Sequence, residues 1–82
     1  MYTTGWCPYC ARARALLERK GIAWNEIDVE AEPARRSEMI ERSGRRTVPQ
    51  IFIGDRAIGG SDELRDLEDR GELDRLLGRR AG

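Results

Sequence analysis

Met1-Tyr2-Thr3-Thr4-Gly5-Trp6-Cys7-Pro8-Tyr9-Cys10 is the stretch that decides the fold. Its first four residues favour a strand, Gly5-Trp6 breaks it, and Pro8 suits the first turn of a helix, where a missing N–H costs nothing. From Cys10 onward the apolar residues Cys10, Ala13 and Leu17 share one helical face with Leu16 beside them, and Gly21 stops the helix. The two cysteines therefore sit where a strand hands over to a helix. With Cys7 at the cap and Cys10 at the third helical position, their α-carbons fall roughly 5 Å apart, within reach of a disulfide.

Outward from there, Ile22–Val29 reads as a second strand, with Ile27 and Val29 on one face and Ile22 and Trp24 on the other. Pro33 opens a second helix with a thin apolar face of Ala31, Met39 and Ile40, ended by Gly44. Thr47-Val48-Pro49 leads into the strand Gln50–Ile53, and Gly54-Asp55 turns the chain into a fourth strand around Ala57-Ile58. Gly59-Gly60 ends that strand. Ser61-Asp62-Glu63 caps a third helix carrying Leu64 and Leu67, and Leu73, Leu76 and Leu77 form a short last helix after Gly71. Strands one and two, joined through a helix, are expected parallel; three and four, joined by a tight turn, antiparallel. The fold class is α/β, a four-stranded mixed sheet flanked by helices.

Eighty-two residues suit one domain spanning 1–82. Fifteen basic and fifteen acidic residues cancel, which removes the electrostatic footprint of a nucleic-acid binder. No apolar run approaches the roughly 20 residues of a membrane span, and no signal segment precedes the first strand, so a cytoplasmic protein is expected. The absence of His excludes His-based catalysis and His-containing metal sites.

Free helix N–H groups and the helix dipole favour thiolate at Cys7, so its pKa is expected near or below neutral. Three plainer readings compete. A disulfide across four residues removes only about 2 kcal/mol of unfolded-chain entropy and ties no distant segments together. Two cysteines fall short of the four ligands of a structural zinc site. Two unrelated core cysteines leave the strand-to-helix position and the Pro between them unexplained. Redox chemistry accounts for all of it. Lowering a thiol pKa from ~8.5 to ~5 raises the thiolate fraction at pH 7 roughly 30-fold. It also lowers intrinsic nucleophilicity about 25- to 55-fold. The surviving gain is departure: a stabilised Cys7 thiolate leaves readily from a mixed disulfide. Cys10, deeper on the apolar face, is expected to be the resolving thiol.

With Cys7-Pro8-Tyr9-Cys10, Thr47-Val48-Pro49, Gly59-Gly60 and Ser61-Asp62-Glu63-Leu64 in this order, the chain resembles the glutaredoxins, most of all their bacterial dithiol class. The resemblance covers nearly the whole chain. It implies a thioredoxin-like fold with a cis peptide bond before Pro49, catalytic Cys7 and Cys10, and reduction of protein disulfides and glutathione mixed disulfides with glutathione as electron donor. It implies glutathione binding by Tyr9, Arg36, Thr47, Val48, Pro49, Gly60, Ser61 and Asp62. The Val48 backbone would pair with the cysteine unit, the third helix N-terminus with the γ-glutamyl carboxylate, Asp62 with the ammonium and Arg36 with the glycine carboxylate. The expected partners are glutathione and disulfide-bonded or glutathionylated proteins, with a monomeric chain and no metal, nucleic acid or membrane. Arg45 and Arg46 flank the groove as solvated cations able to attract an anionic tripeptide.

Two positions depart from the family pattern. Thr4 stands where many relatives have Lys, and Trp6 before Cys7 is more thioredoxin-like. The same motif admits a redoxin reduced by thioredoxin reductase or another small thiol such as mycothiol. It also admits a dimeric carrier of an iron–sulfur cluster.

Overall fold

The computed structural model describes residues 1–78; the last four positions of the expected 1–82 domain lie outside the described residues. In chain order the elements are β1 (Tyr2–Thr3), α1 (Pro8–Arg19), β2 (Ile27–Asp28), α2 (Pro33–Ser43), β3 (Ile51–Ile53), β4 (Arg56–Gly59), α3 (Ser61–Asp69) and α4 (Leu73–Leu76). β1 and β2 are parallel, with Tyr2 opposite Ile27 and Thr3 opposite Asp28. β3 and β4 are antiparallel, with Phe52 opposite Ala57 and Ile53 opposite Arg56. Both pairings match the directions read from the connections.

The sheet is less continuous than the expected four strands. It consists of two two-stranded ladders joined by one antiparallel bridge, in which Tyr2 and Gln50 exchange N–H···O bonds of 2.8 and 3.0 Å. Pro49 next to Gln50 has no N–H to carry the ladder toward the cysteines. The strand expected over 22–29 pairs only at Ile27–Asp28. A parallel ladder can be no longer than its partner, and β1 spans two residues. The expected faces nevertheless hold. Ile27 and Val29 pack with Tyr2 and Met39 on the α2 side, while Ile22 and Trp24 pack with Ala13, Leu16, Leu17, Ile51, Leu64 and Leu73 on the other.

Helix α1 begins and ends as its punctuation implies, with Cys7 at the cap, Pro8 in the first turn, and Gly21 at φ +67° just beyond the end. In α2 the apolar face is thinner still than expected. Met39 is buried, but Ala31 lies exposed in a turn ahead of the helix, where the Asp28 carboxylate accepts the Glu30 and Ala31 N–H groups at 2.8 and 3.2 Å. Tyr2 is buried under this layer with its ring edge-on to Phe52, 5.7 Å between centroids. Its hydroxyl donates to Glu38 at 2.6 Å and accepts from Arg42 at 2.8 Å. No described helix is long and apolar enough to cross a membrane.

Candidate active site

The site is built where β1 and β3 approach the start of α1. At the cap of α1 the Cys7 sulfur accepts the Cys10 backbone N–H at 3.4 Å, meeting one of the donors that a helix start leaves open. On its other side the Cys7 thiol donates to the Val48 carbonyl at 3.8 Å, and Val48-Pro49 is a cis peptide bond, as the resemblance implied. Cys7 is half-buried and Cys10 fully buried; both are free thiols.

This geometry separates the two acidities. Burial pushes the Cys7 thiol up, but the Cys10 N–H, the Cys10 thiol, the Tyr9 N–H and the Arg14 charge together hold it below its ordinary value. Burial pushes Cys10 up to about 11, with the neighbouring Cys7 sulfur adding to the rise and the Thr4 N–H opposing it. Cys7 is thereby the more acidic sulfur and Cys10 the less acidic one, a helical turn apart. Thr4 supplies a backbone donor where the family often has a lysine. The cation acting on both sulfurs is Arg14, one turn further along α1, which is clamped by Glu26 at 2.7 Å.

Beside the cysteines runs a groove of about 240 Å³ lined by Tyr9, Arg45, Thr47, Val48, Pro49, Gly60, Ser61, Asp62 and Glu63. Seven of the eight residues that the resemblance implies as glutathione ligands are thus brought together on its walls. The eighth, Arg36, lies outside this lining, exposed on α2, with its Nη2 donating to the Arg46 carbonyl at 3.3 Å. At the far wall the cap of α3 is Gly60, one residue earlier than read from sequence, so Ser61, Asp62 and Glu63 occupy the first turn. Gly60 has no side chain to cap with, and Glu63 reaches back to accept its N–H at 3.3 Å. A Cβ on Gly59, which has φ +114°, would come within 3.0 Å of the Glu63 side chain; this turn requires glycine.

In the sequence Glu63 reads only as part of the cap. Its carboxylate also accepts Nη1 of Arg45 at 2.5 Å, an ion pair that ties the loop before Pro49 to the start of α3. Arg45 holds the Glu63 carboxyl below its ordinary range, against the opposing effect of burial. An acid in the wall of a groove suited to anions is thereby neutralised. Nothing local announces this role: the residue three before Glu63 is Gly60, not the Ser or Thr of a capping box, and the ion-pair partner lies in the preceding loop.

The glutaredoxin family model matches residues 1–58. Glutaredoxin 3 of Escherichia coli is 54% identical over 77 residues, covering 94% of this chain and 93% of the relative. The solution structure of glutaredoxin from Brucella melitensis has a TM-score of 0.80 at 59% identity, over 96% of this chain and 88% of that one. A crystal structure of a buckwheat glutaredoxin–glutathione complex reaches 0.86 at 30% identity, over 94% and 73%. The architecture is accordingly thioredoxin-like. Sequence, fold and dithiol geometry agree: this chain belongs to the glutaredoxin family, the glutathione-dependent thiol–disulfide oxidoreductases.

Proposed function

We propose that the chain acts as a single-domain, monomeric, cytoplasmic dithiol glutaredoxin with Cys7 as nucleophile and glutathione as reductant. The observation that carries the reading is the split in acidity between Cys7 and Cys10 across one hydrogen-bonded helical turn beside the groove. The Cys7 thiolate attacks the glutathionyl sulfur of a glutathionylated protein. The old S–S bond breaks, its electron pair leaves on the protein sulfur, and that sulfur takes a proton. A second glutathione thiolate then attacks the glutathionyl sulfur on Cys7, releasing glutathione disulfide and returning Cys7 as thiolate. With a protein disulfide, Cys10 resolves the intermediate by attacking the Cys7 sulfur, and two glutathiones reduce the resulting Cys7–Cys10 bridge.

Glutathione lies along the groove with its cysteine unit paired to the Val48 backbone in strand fashion and its γ-glutamyl carboxylate on the N–H groups at Ser61 and Asp62. The Asp62 side chain takes the ammonium, Tyr9, Thr47, Pro49 and Gly60 shape the walls, and Arg36 meets the glycine carboxylate at the outer end. The glutathione complex of the buckwheat relative supports this ligand for the family's groove.

The test is a glutathione and glutathione-reductase coupled assay on a glutathionylated protein and on a protein disulfide. Cys7→Ser is expected to abolish both activities. Cys10→Ser is expected to keep deglutathionylation and lose disulfide reduction. An active Cys7→Ser protein, or turnover supported by thioredoxin reductase and not by glutathione, would overturn the assignment.

A further inference from the structure

Among the described residues, the exposed large hydrophobic side chains are Trp6 at 87% and Tyr9 at 51%. Tyr2, Trp24 and Phe52 all pack against the cores. The aromatic exposure is thus concentrated within two residues of the reactive sulfur, on either side of it in the chain. Tyr9 lines the groove. Trp6 is not part of that lining, so filling the groove leaves it uncovered. The Arg12 guanidinium stands 5.3 Å above the Tyr9 ring and sets a positive charge at the edge of the patch.

We propose that Trp6 is the centre of a docking rim for the polypeptide part of the substrate: an extended segment with an apolar side chain next to its glutathionylated cysteine and an acidic residue beyond it. The inference rests on the function proposed above and adds a protein-binding surface to the glutathione groove. Attack at a disulfide places three sulfurs in line, so the leaving protein sulfur stands roughly 4 Å from Cys7 Sγ, about two S–S bond lengths. Residues flanking the protein cysteine are thereby brought against the side chains that border Cys7, and the rim is continuous with the reaction site. Trp has large apolar area and few torsions to immobilise, the properties that make Trp and Tyr dominant in recognition surfaces. Arg12 at the border, with exposed Arg46 beside the groove, selects an acidic residue at the segment's end.

Synthetic glutathionylated peptides with Leu beside the cysteine and Asp beyond, and matched peptides with Gly at those positions, test this against the mixed disulfide of glutathione and free cysteine. Trp6→Ala is expected to lower kcat/KM on the Leu-flanked peptide about tenfold, roughly 1.4 kcal/mol. It should leave turnover of the cysteine–glutathione disulfide within about twofold, and Trp6→Phe should recover most of the loss. Equal losses on all substrates, or no loss on any, would overturn the docking rim while the functional reading stood. A wild-type chain inactive on every substrate would sink both. Concentration-dependent dimerisation that Trp6→Ala abolishes would also overturn it, by assigning the rim to a second copy of this chain.

Discussion

Cys10 acts on Cys7 in two ways, through its backbone N–H and through its thiol, and both lower the Cys7 pKa. The backbone contribution survives any substitution, whereas the thiol contribution needs a side-chain donor. Replacing Cys10 by Ala is expected to move the Cys7 titration, followed by thiolate ultraviolet absorbance, to higher pH; Ser, which keeps a hydroxyl donor, should bring it back. Wild-type protein should show a second thiolate step near 11 that both variants lack. An unchanged Cys7 midpoint in Cys10→Ala would show that the backbone donors alone set it. The rise at Cys10 comes first from burial and then from the sulfur beside it. Once Cys7 is locked in a mixed disulfide its charge is gone, and Cys10 becomes easier to ionise when it is needed to attack. The sequence made this division of labour legible, because cap position and helical spacing are local properties. It did not disclose the Val48 carbonyl at the Cys7 sulfur, which is brought there by the loop ahead of β3, 41 residues along the chain.

At the scale of elements, Arg14 of α1 and Glu26 ahead of β2 hold the helix to the sheet. Glu26 accepts from Arg14 Nε and Nη2 at 3.0 and 2.7 Å, from Thr3 Oγ1 at 3.0 Å and from Trp24 Nε1 at 3.1 Å. Arg14 first, with help from Trp24 and Thr3 and against burial, brings the Glu26 carboxyl down to about 2. As pH falls, the unfolded chain protonates this group before the folded one does. The stabilisation is therefore complete above the ordinary carboxylate range and is lost as pH drops toward 2. Glu26→Gln is expected to lower Tm at pH 7 by an amount corresponding to about 1 kcal/mol or less, since the pair is partly open to water. The gap from wild type should narrow progressively below about pH 4.5; a gap independent of pH would assign the loss to packing. Helix α1 was readable because Pro8, Gly21 and a 3.6-residue period mark its start, end and buried face. The true extent of β2 was not, because pairing length belongs to two strands and the pattern of one strand does not carry the length of its partner. Arg14–Glu26 and Arg45–Glu63 leave no mark in the sequence for the same reason: each joins residues that local pattern treats as ordinary solvated charge.

Across the whole molecule, a thin sheet separates two small apolar clusters, and domains of this size are stable by only about 4–12 kcal/mol. Leu73 comes from a four-residue helix yet is completely buried in the larger cluster with Leu16, Leu17 and Leu64. Leu73→Ala is expected to cost about 2–5 kcal/mol in urea unfolding through the cavity it leaves. The Cys7 titration of the folded fraction should be unchanged, and a loss below about 1 kcal/mol would mean that α4 is dispensable to the core. The α/β class was legible as a whole because helices and strands alternate with clear breakers between them. The division of the sheet by one bridge was not, since it arises from a short β1 meeting a proline in three dimensions. The helical side of this core carries one further consequence. The sequence contains a single lysine, and its ammonium, at the end of α1, is gripped by Glu68 of α3 at 2.9 Å and Asp74 of α4 at 3.0 Å. Acylating reagents thus find one side-chain amine in the protein, held between two carboxylates at the junction of three helices, so a single label at Lys20 would report on that junction alone.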